Sequence, residues 1–281
     1  MSQQDLFYNE ILEELENGSL VLPTLPEVAL RVRDVVDEPD VTAKQLAEII
    51  VTDAALSTRL IKLANSPLYR GRILSESVQM AVSRLGLSMV RNLVISLVME
   101  QMFQATSNRL DKRLHDLWDH STDVAARCQI LAKKHPGIKP DEAMLAGLIH
   151  NIGILPILMK AEDTPELIQD TQMLDNLIDL LHNKIGSAIL KSWAFSETLI
   201  AVPLEYSNLA WDSEKSPDLV DIVQVANIQS LENTDKAITP EQLDSVKSFK
   251  KLGLDTGILV SEIDEDSEEY AEALALFGFN S

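Results

Sequence analysis

Five polar residues could do chemistry in this chain because each stands on a segment that is otherwise apolar: His120, His150, Asn151, His182 and Asn227. Imidazole titrates near neutral pH and binds metal through either ring nitrogen, and a carboxamide both donates and accepts hydrogen bonds. Facing helices of a bundle build metal sites by projecting such groups inward. His120 falls on the face of Leu117, Val124, Cys128 and Leu131, at helical spacing. In the run over 143–159, AMLAGLIHNIGILPILM, His150 and Asn151 are the only conventional polar side chains. Neighbours on a helix point about 100° apart, so the pair can share one pocket. Buried polar groups need partners. A lone buried histidine is more often a hydrogen-bonded core residue than a ligand, so the weight rests on the coincidence of five. Cys128, on the same buried face as His120, reads as packing with an inert thiol.

The elements that must position these residues are helices. Glycine and proline are scarce (10 and 11 of 281), aromatics make up 5%, and apolar residues recur at 3.6-residue spacing. The expected helices cover 4–16, a segment from Val28 to Val36, 42–50, a segment capped by Asp53, 75–85, 87–103, 111–134 and 141 to Gly153 or Pro156. Later ones cover 175–190, 196–206 and 220–231. Two amphipathic pieces follow at 240–254 and 267–279, separated by the acidic run 262–266, which reads as a solvated linker. Thr42 with Gln45 forms a capping box, and Gly86 separates two helices. The expected organisation is an N-terminal helix (1–18), a first helical subdomain (19–107), a second (108–232) and a C-terminal helical extension (233–281).

The 24 Lys and Arg against 44 Asp and Glu give a formal charge of −20, which repels phosphate backbones and anionic lipid. Nucleic acid and membrane are therefore poor partners. The tandem helices over 42–64 resemble a helix-turn-helix, but ordinary helix packing explains them better, since only Arg59 and Lys62 are basic on the second. The sequence shows no charged-then-apolar leader and no uninterrupted apolar run of about 20 residues. Its single cysteine agrees with a reducing compartment, and the expected location is the cytoplasm.

Longer motifs add a resemblance. Trp118-Asp119-His120-Ser121 and Ala146-Gly147-Leu148-Ile149-His150-Asn151-Ile152-Gly153 look like the first histidine and the His-Asp signature of HD-superfamily phosphohydrolases, with His-Asn in place of His-Asp. Leu22-Pro23-Thr24-Leu25-Pro26, Asp53-Ala54-Ala55-Leu56, Leu63-Ala64-Asn65-Ser66, Ala81-Val82-Ser83-Arg84-Leu85-Gly86, His182-Asn183-Lys184-Ile185-Gly186 and Leu190-Lys191-Ser192-Trp193 resemble the HDOD family, the HD-related output domain of bacterial signalling proteins. The resemblance spans roughly 19–231.

It implies an all-α, multi-helical HD-like bundle in which His120, His150, Asn151, His182, Ser207, Asn208 and Asn227 occupy the positions of a metal site. Metal-binding relatives carry paired histidines where Ser207 and Asn208 align, and an aspartate where Asn227 aligns. A neutral amide cannot replace an anionic oxygen for a hard cation, so no metal, cofactor or catalytic residue is expected. Weak binding of Zn2+ or Ni2+ by the histidines, with Asp179 or Glu205 substituting for a lost carboxylate, is the residual option. The resemblance implies a non-catalytic signalling module acting through signalling proteins or a small ligand, with homo-oligomers allowed. The alternative is a phosphohydrolase for nucleotides or cyclic dinucleotides with altered metal ligands.

Overall fold

A computed structural model describes residues 3–67, 69–103, 110–213, 216–254, 267–275 and 277, and these contain helices and no strand. The first half holds α1 (Gln3–Asn17), α2 (Glu27–Val36), α3 (Ala43–Ile50), α4 (Ala54–Ala64), α5 (Val78–Leu85) and α6 (Leu87–Met99), closed by a 3-10 turn, Glu100–Phe103. Thr42 and Gln45 form the expected capping box, and Asp53 caps α4 by accepting from the Leu56 amide at 2.9 Å. Gly86 turns the chain with φ 84°, a left-handed value that glycine adopts without strain. α5 and the segment from Leu87 to Phe103 consequently meet at 117°. The tandem helices α3 and α4 bury Leu46, Ile50, Leu56 and Leu60. Arg59 is paired with Glu100 at 2.5 Å, which leaves Lys62 as the one basic side chain of α4 without an ion pair to a described residue.

The second half holds α7 (Asp111–Lys133), α8 (Pro140–Ile149), α9 (Ile154–Glu162), α10 (Pro165–Gln169), α11 (Thr171–Ser192), α12 (Glu197–Glu205) and α13 (Leu219–Ser230). α14 (Pro240–Ser245), α15 (Lys247–Lys251) and α16 (Glu268–Ala275) follow. α6 packs against α2, α4, α5 and also α8. There Asn92 Nδ2 donates to Asp141 Oδ2 at 2.7 Å, a buried bond joining the two halves. One contiguous apolar cluster runs from Ile11 to Phe277. α15 is tied to α13 by Ser248, whose buried hydroxyl lies 2.7 Å from Asp221 Oδ1 and 2.8 Å from Gln224 Oε1. α16 packs on α7, where Phe277 meets Trp118 edge-on.

The expected helix beginning at 141 is broken earlier than its sequence suggests. α8 ends at Ile149, and His150 to Gly153 form tight turns before α9. The Ile152, Ile154 and Leu155 amides bond three residues back, to the Ile149, Asn151 and Ile152 carbonyls. Gly153 explains why: a Cβ there would overlap the His182 carbonyl oxygen and sit 2.5 Å from the Gly186 amide nitrogen. The break is thus where the chain is pressed against α11. Within Pro140–Glu162 an 18-residue window reaches a mean hydropathy of 1.6, and 83% of that window is buried inside the protein, where it serves as core.

Smaller differences have local causes. α11 starts at Thr171 because Asp170 caps it, accepting from the Met173 amide at 2.9 Å. The piece expected over 240–254 splits at Val246, whose backbone is extended. The acidic run 262–266 and the boundary at 107–108 lie outside the described residues.

Candidate functional site

Three helices and one break position the polar cluster. His120 comes from α7, His150 and Asn151 from the break after α8, His182 from α11 and Asn227 from α13. Gly147 lets α8 approach α7, since a Cβ there would lie 2.8 Å from Ala125 Cα and 2.9 Å from Cys128 Sγ. That leaves the His120 and His150 rings edge to face, with centroids 5.4 Å apart.

The hydrogen bonds fix the protons. His150 Nδ1 lies 2.6 Å from the Gly147 carbonyl, which only accepts, so Nδ1 carries the hydrogen and Nε2 is a bare lone pair. His182 Nδ1 likewise donates to the Ile178 carbonyl at 2.6 Å. Its Nε2 therefore accepts from the Tyr206 hydroxyl at 2.8 Å. His120 Nε2 donates to Asn227 Oδ1 at 3.1 Å, and Nδ1 accepts from the Ser230 hydroxyl at 3.2 Å. Asn151 Oδ1 accepts from Ser121 Oγ at 3.0 Å. The buried His150 Nε2 has no partner among the described residues.

Tyr206 is the member that sequence reasoning missed. Its ring stands between two histidines, 4.7 Å from the His150 centroid and 5.9 Å from that of His182. Ser207 and Asn208, aligned with ligand positions of relatives, are exposed and turned to other partners. Ser207 Oγ accepts from Asn183 Nδ2 at 2.8 Å, and Asn208 Nδ2 donates to Glu205 Oε2 at 2.9 Å. A signal for Tyr206 was present: Leu199, Val202, Pro203 and Tyr206 repeat at helical spacing and all are buried.

Burial lowers the pKa of all three imidazoles, His150 most, so each is neutral at pH 7. Lys236 lies close enough to His120 and His182 to disfavour a further positive charge at either. Asp123 acts oppositely on His120, but its Oδ1 already accepts from Arg127 Nε at 2.9 Å. Asp179 is exposed. Burial holds the Tyr206 hydroxyl well above its usual value, and it stays protonated. Burial does the same to the Cys128 thiol.

These residues do not fit a divalent ion. No described carboxylate is hydrogen-bonded to the cluster, Asp179 acting on His182 and Tyr206 only through its charge. Both nitrogens of His120 and His182 are engaged, and a phenol lies between the His150 and His182 imidazoles. Among the described residues no group of three or more His, Cys, Asp or Glu is set to hold a metal. What the arrangement offers is a neutral, hydrogen-bonded packing centre with one bare lone pair.

The fold and this cluster define an HD-like helical protein. The HDOD domain family matches residues 22–208, and the chain belongs to that family. It is 35% identical to the "Putative metal-dependent phosphohydrolase" of Shewanella amazonensis SB2B, with a TM-score of 0.81 over 99% of this chain and 98% of the other. An HDOD domain protein of unknown function from Geobacter sulfurreducens shares the fold at 24% identity and a TM-score of 0.65, over 95% of this chain and 97% of the other. An uncharacterized protein of Treponema pallidum (strain Nichols) is 27% identical over 223 residues, and the match spans 74% of this chain and 42% of that longer protein.

Proposed function

We propose that this chain is a non-catalytic signal-transduction module of the HDOD type, working in the cytoplasm by binding a protein partner or small ligand. The observation that carries the reading is Tyr206, whose ring packs on His150 and whose hydroxyl takes up the His182 Nε2 lone pair that a metal would need. Asn151 and Asn227 support it, because neutral amides offer no anionic oxygen to hold a cation or orient a hydroxide. The test is to assay purified protein against nucleotides and cyclic dinucleotides with added Mn2+, Ni2+ or Zn2+. The expected result is no turnover that depends on His150; turnover abolished in His150→Ala would overturn the reading.

Two observations favour a second reading. The bare His150 Nε2 is a buried imidazole lone pair of the kind that metals take, and the similar Shewanella protein bears a phosphohydrolase name. A phosphohydrolase with altered ligands would have to swing Tyr206 out of the cluster, and Tyr206→Ala would then raise rather than lower metal-dependent turnover.

A further inference from the structure

Charge is distributed unevenly along this acidic chain. Residues 54–99 contain six basic side chains and a single carboxylate, Glu76. Three of the six are used internally. Arg59 pairs with Glu100 and Arg91 with Asp37, at 3.1 Å. Arg84 donates to the Ala64 and Ile73 carbonyls and to Asn65 Oδ1. Lys62, Arg70 and Arg72 are exposed and form no ion pair with any described residue, in a protein with 44 carboxylates.

The loop between α4 and α5 carries Arg70 and Arg72, followed by Ile73 and Leu74, which are 74% and 59% exposed. This exposure is held in place. Asn65 brackets Ser75, accepting from its amide at 2.7 Å and donating to its carbonyl at 2.8 Å. Tyr69 anchors the middle of the loop by accepting from Gln129 Nε2 at 2.7 Å. Arg84 holds the far side. Beside the loop, Met80 is 40% exposed and lines an open depression of about 390 Å³ with Ser77, Gln79, Ser83 and Arg84. A clamped loop that presents two adjacent branched apolar side chains and two uncommitted guanidiniums loses little entropy on binding.

We infer that this loop and depression form a docking site for an acidic segment of a partner protein, with apolar anchors on Ile73, Leu74 and Met80 and Asp or Glu side chains on Arg70 and Arg72. The inference rests on the partner-binding reading above. Charge complementarity selects the occupant: the guanidiniums need carboxylates that no described residue supplies, and Arg pairs with them bidentately. The exposed aliphatic pair, Ile73 and Leu74, favours protein over nucleic acid, since a phosphate backbone offers it no apolar partner.

Displayed random dodecapeptides selected on the full chain test it, with affinities then measured for wild type, Ile73→Ser/Leu74→Ser and Arg70→Glu/Arg72→Glu. The two arginine side chains form no hydrogen bond or ion pair with any described residue and Ile73 and Leu74 are mostly exposed, so unchanged melting temperatures confirm folding. The expected result is enrichment of peptides that combine apolar residues with Asp or Glu, weakened about tenfold or more by either double variant. The arginine variant should also flatten the salt dependence. Enriched peptides that bind both variants as well as wild type would overturn this site and leave the partner-binding reading standing. No enrichment would overturn the docking proposal, as would oligonucleotide binding lost only in the arginine variant, or self-association lost in the apolar variant without peptide binding. Metal-dependent turnover that needs His150 would instead overturn the underlying reading.

Discussion

Tyr206 joins the side chains of His150 and His182 by ring contact and hydrogen bond, and its removal separates those roles. Tyr206→Phe keeps the ring but leaves His182 Nε2 buried without a donor, an expected loss of about 1–3 kcal/mol in chemical denaturation. Tyr206→Ala adds a cavity and should cost about 3–5 kcal/mol. Protonation makes a second residue-scale prediction. Burial holds His120, His150 and His182 below their ordinary pKa, so the unfolded chain takes up protons that the folded chain does not. Their contribution is fully present above the unfolded value of about 6.5 and is lost as pH falls from there toward the lowered folded values. Melting temperature should therefore drop between about pH 7 and pH 5.5, and less steeply in His150→Gln, the variant lacking the most depressed imidazole. The histidines and amides were legible in the sequence because polar residues on greasy segments must be buried and partnered. Tyr206 was not: a tyrosine on an apolar face reads as core, and the alignment of Ser207 and Asn208 with ligand positions drew attention one residue too far.

Helices were legible by period and caps, as at Thr42, Asp53 and Gly86. Their interruptions were not, because these depend on what packs alongside. Gly153 ends α8 early through α11, and nothing within residues 143–159 announces that neighbour. Gly153→Ala should destabilise by about 3 kcal/mol or more, since the added methyl would meet backbone on α11 that cannot retract. The end of α11 offers the opposite change. Ala194 has φ 53°, a left-handed value, while the Phe195 amide reaches back to the Leu190 carbonyl at 3.0 Å. This is a glycine-type helix terminus bearing alanine. Ala194→Gly should raise stability by about 0.5–1 kcal/mol, measured by denaturant midpoint at unchanged m-value.

For the whole molecule, the continuous core and the Asn92–Asp141 bond bind the two helical halves together, and membership of the HDOD family follows from matched sequence and shared fold. The charge of −20 was plain from composition, whereas the placement of uncommitted arginines on one clamped loop needed coordinates, because sequence alone does not show which cations are already paired. We read the HD-like centre as a neutral, hydrogen-bonded packing cluster, with His150, Asn151 and His182 buried and His120 and Asn227 half-buried. Anomalous diffraction from crystals soaked separately in Mn2+, Ni2+ and Zn2+ tests it most directly. The expected result is no anomalous peak within bonding distance of His120, His150 or His182, with Tyr206 still on His182. A peak coordinated by His150 Nε2, with Tyr206 displaced, would contradict it.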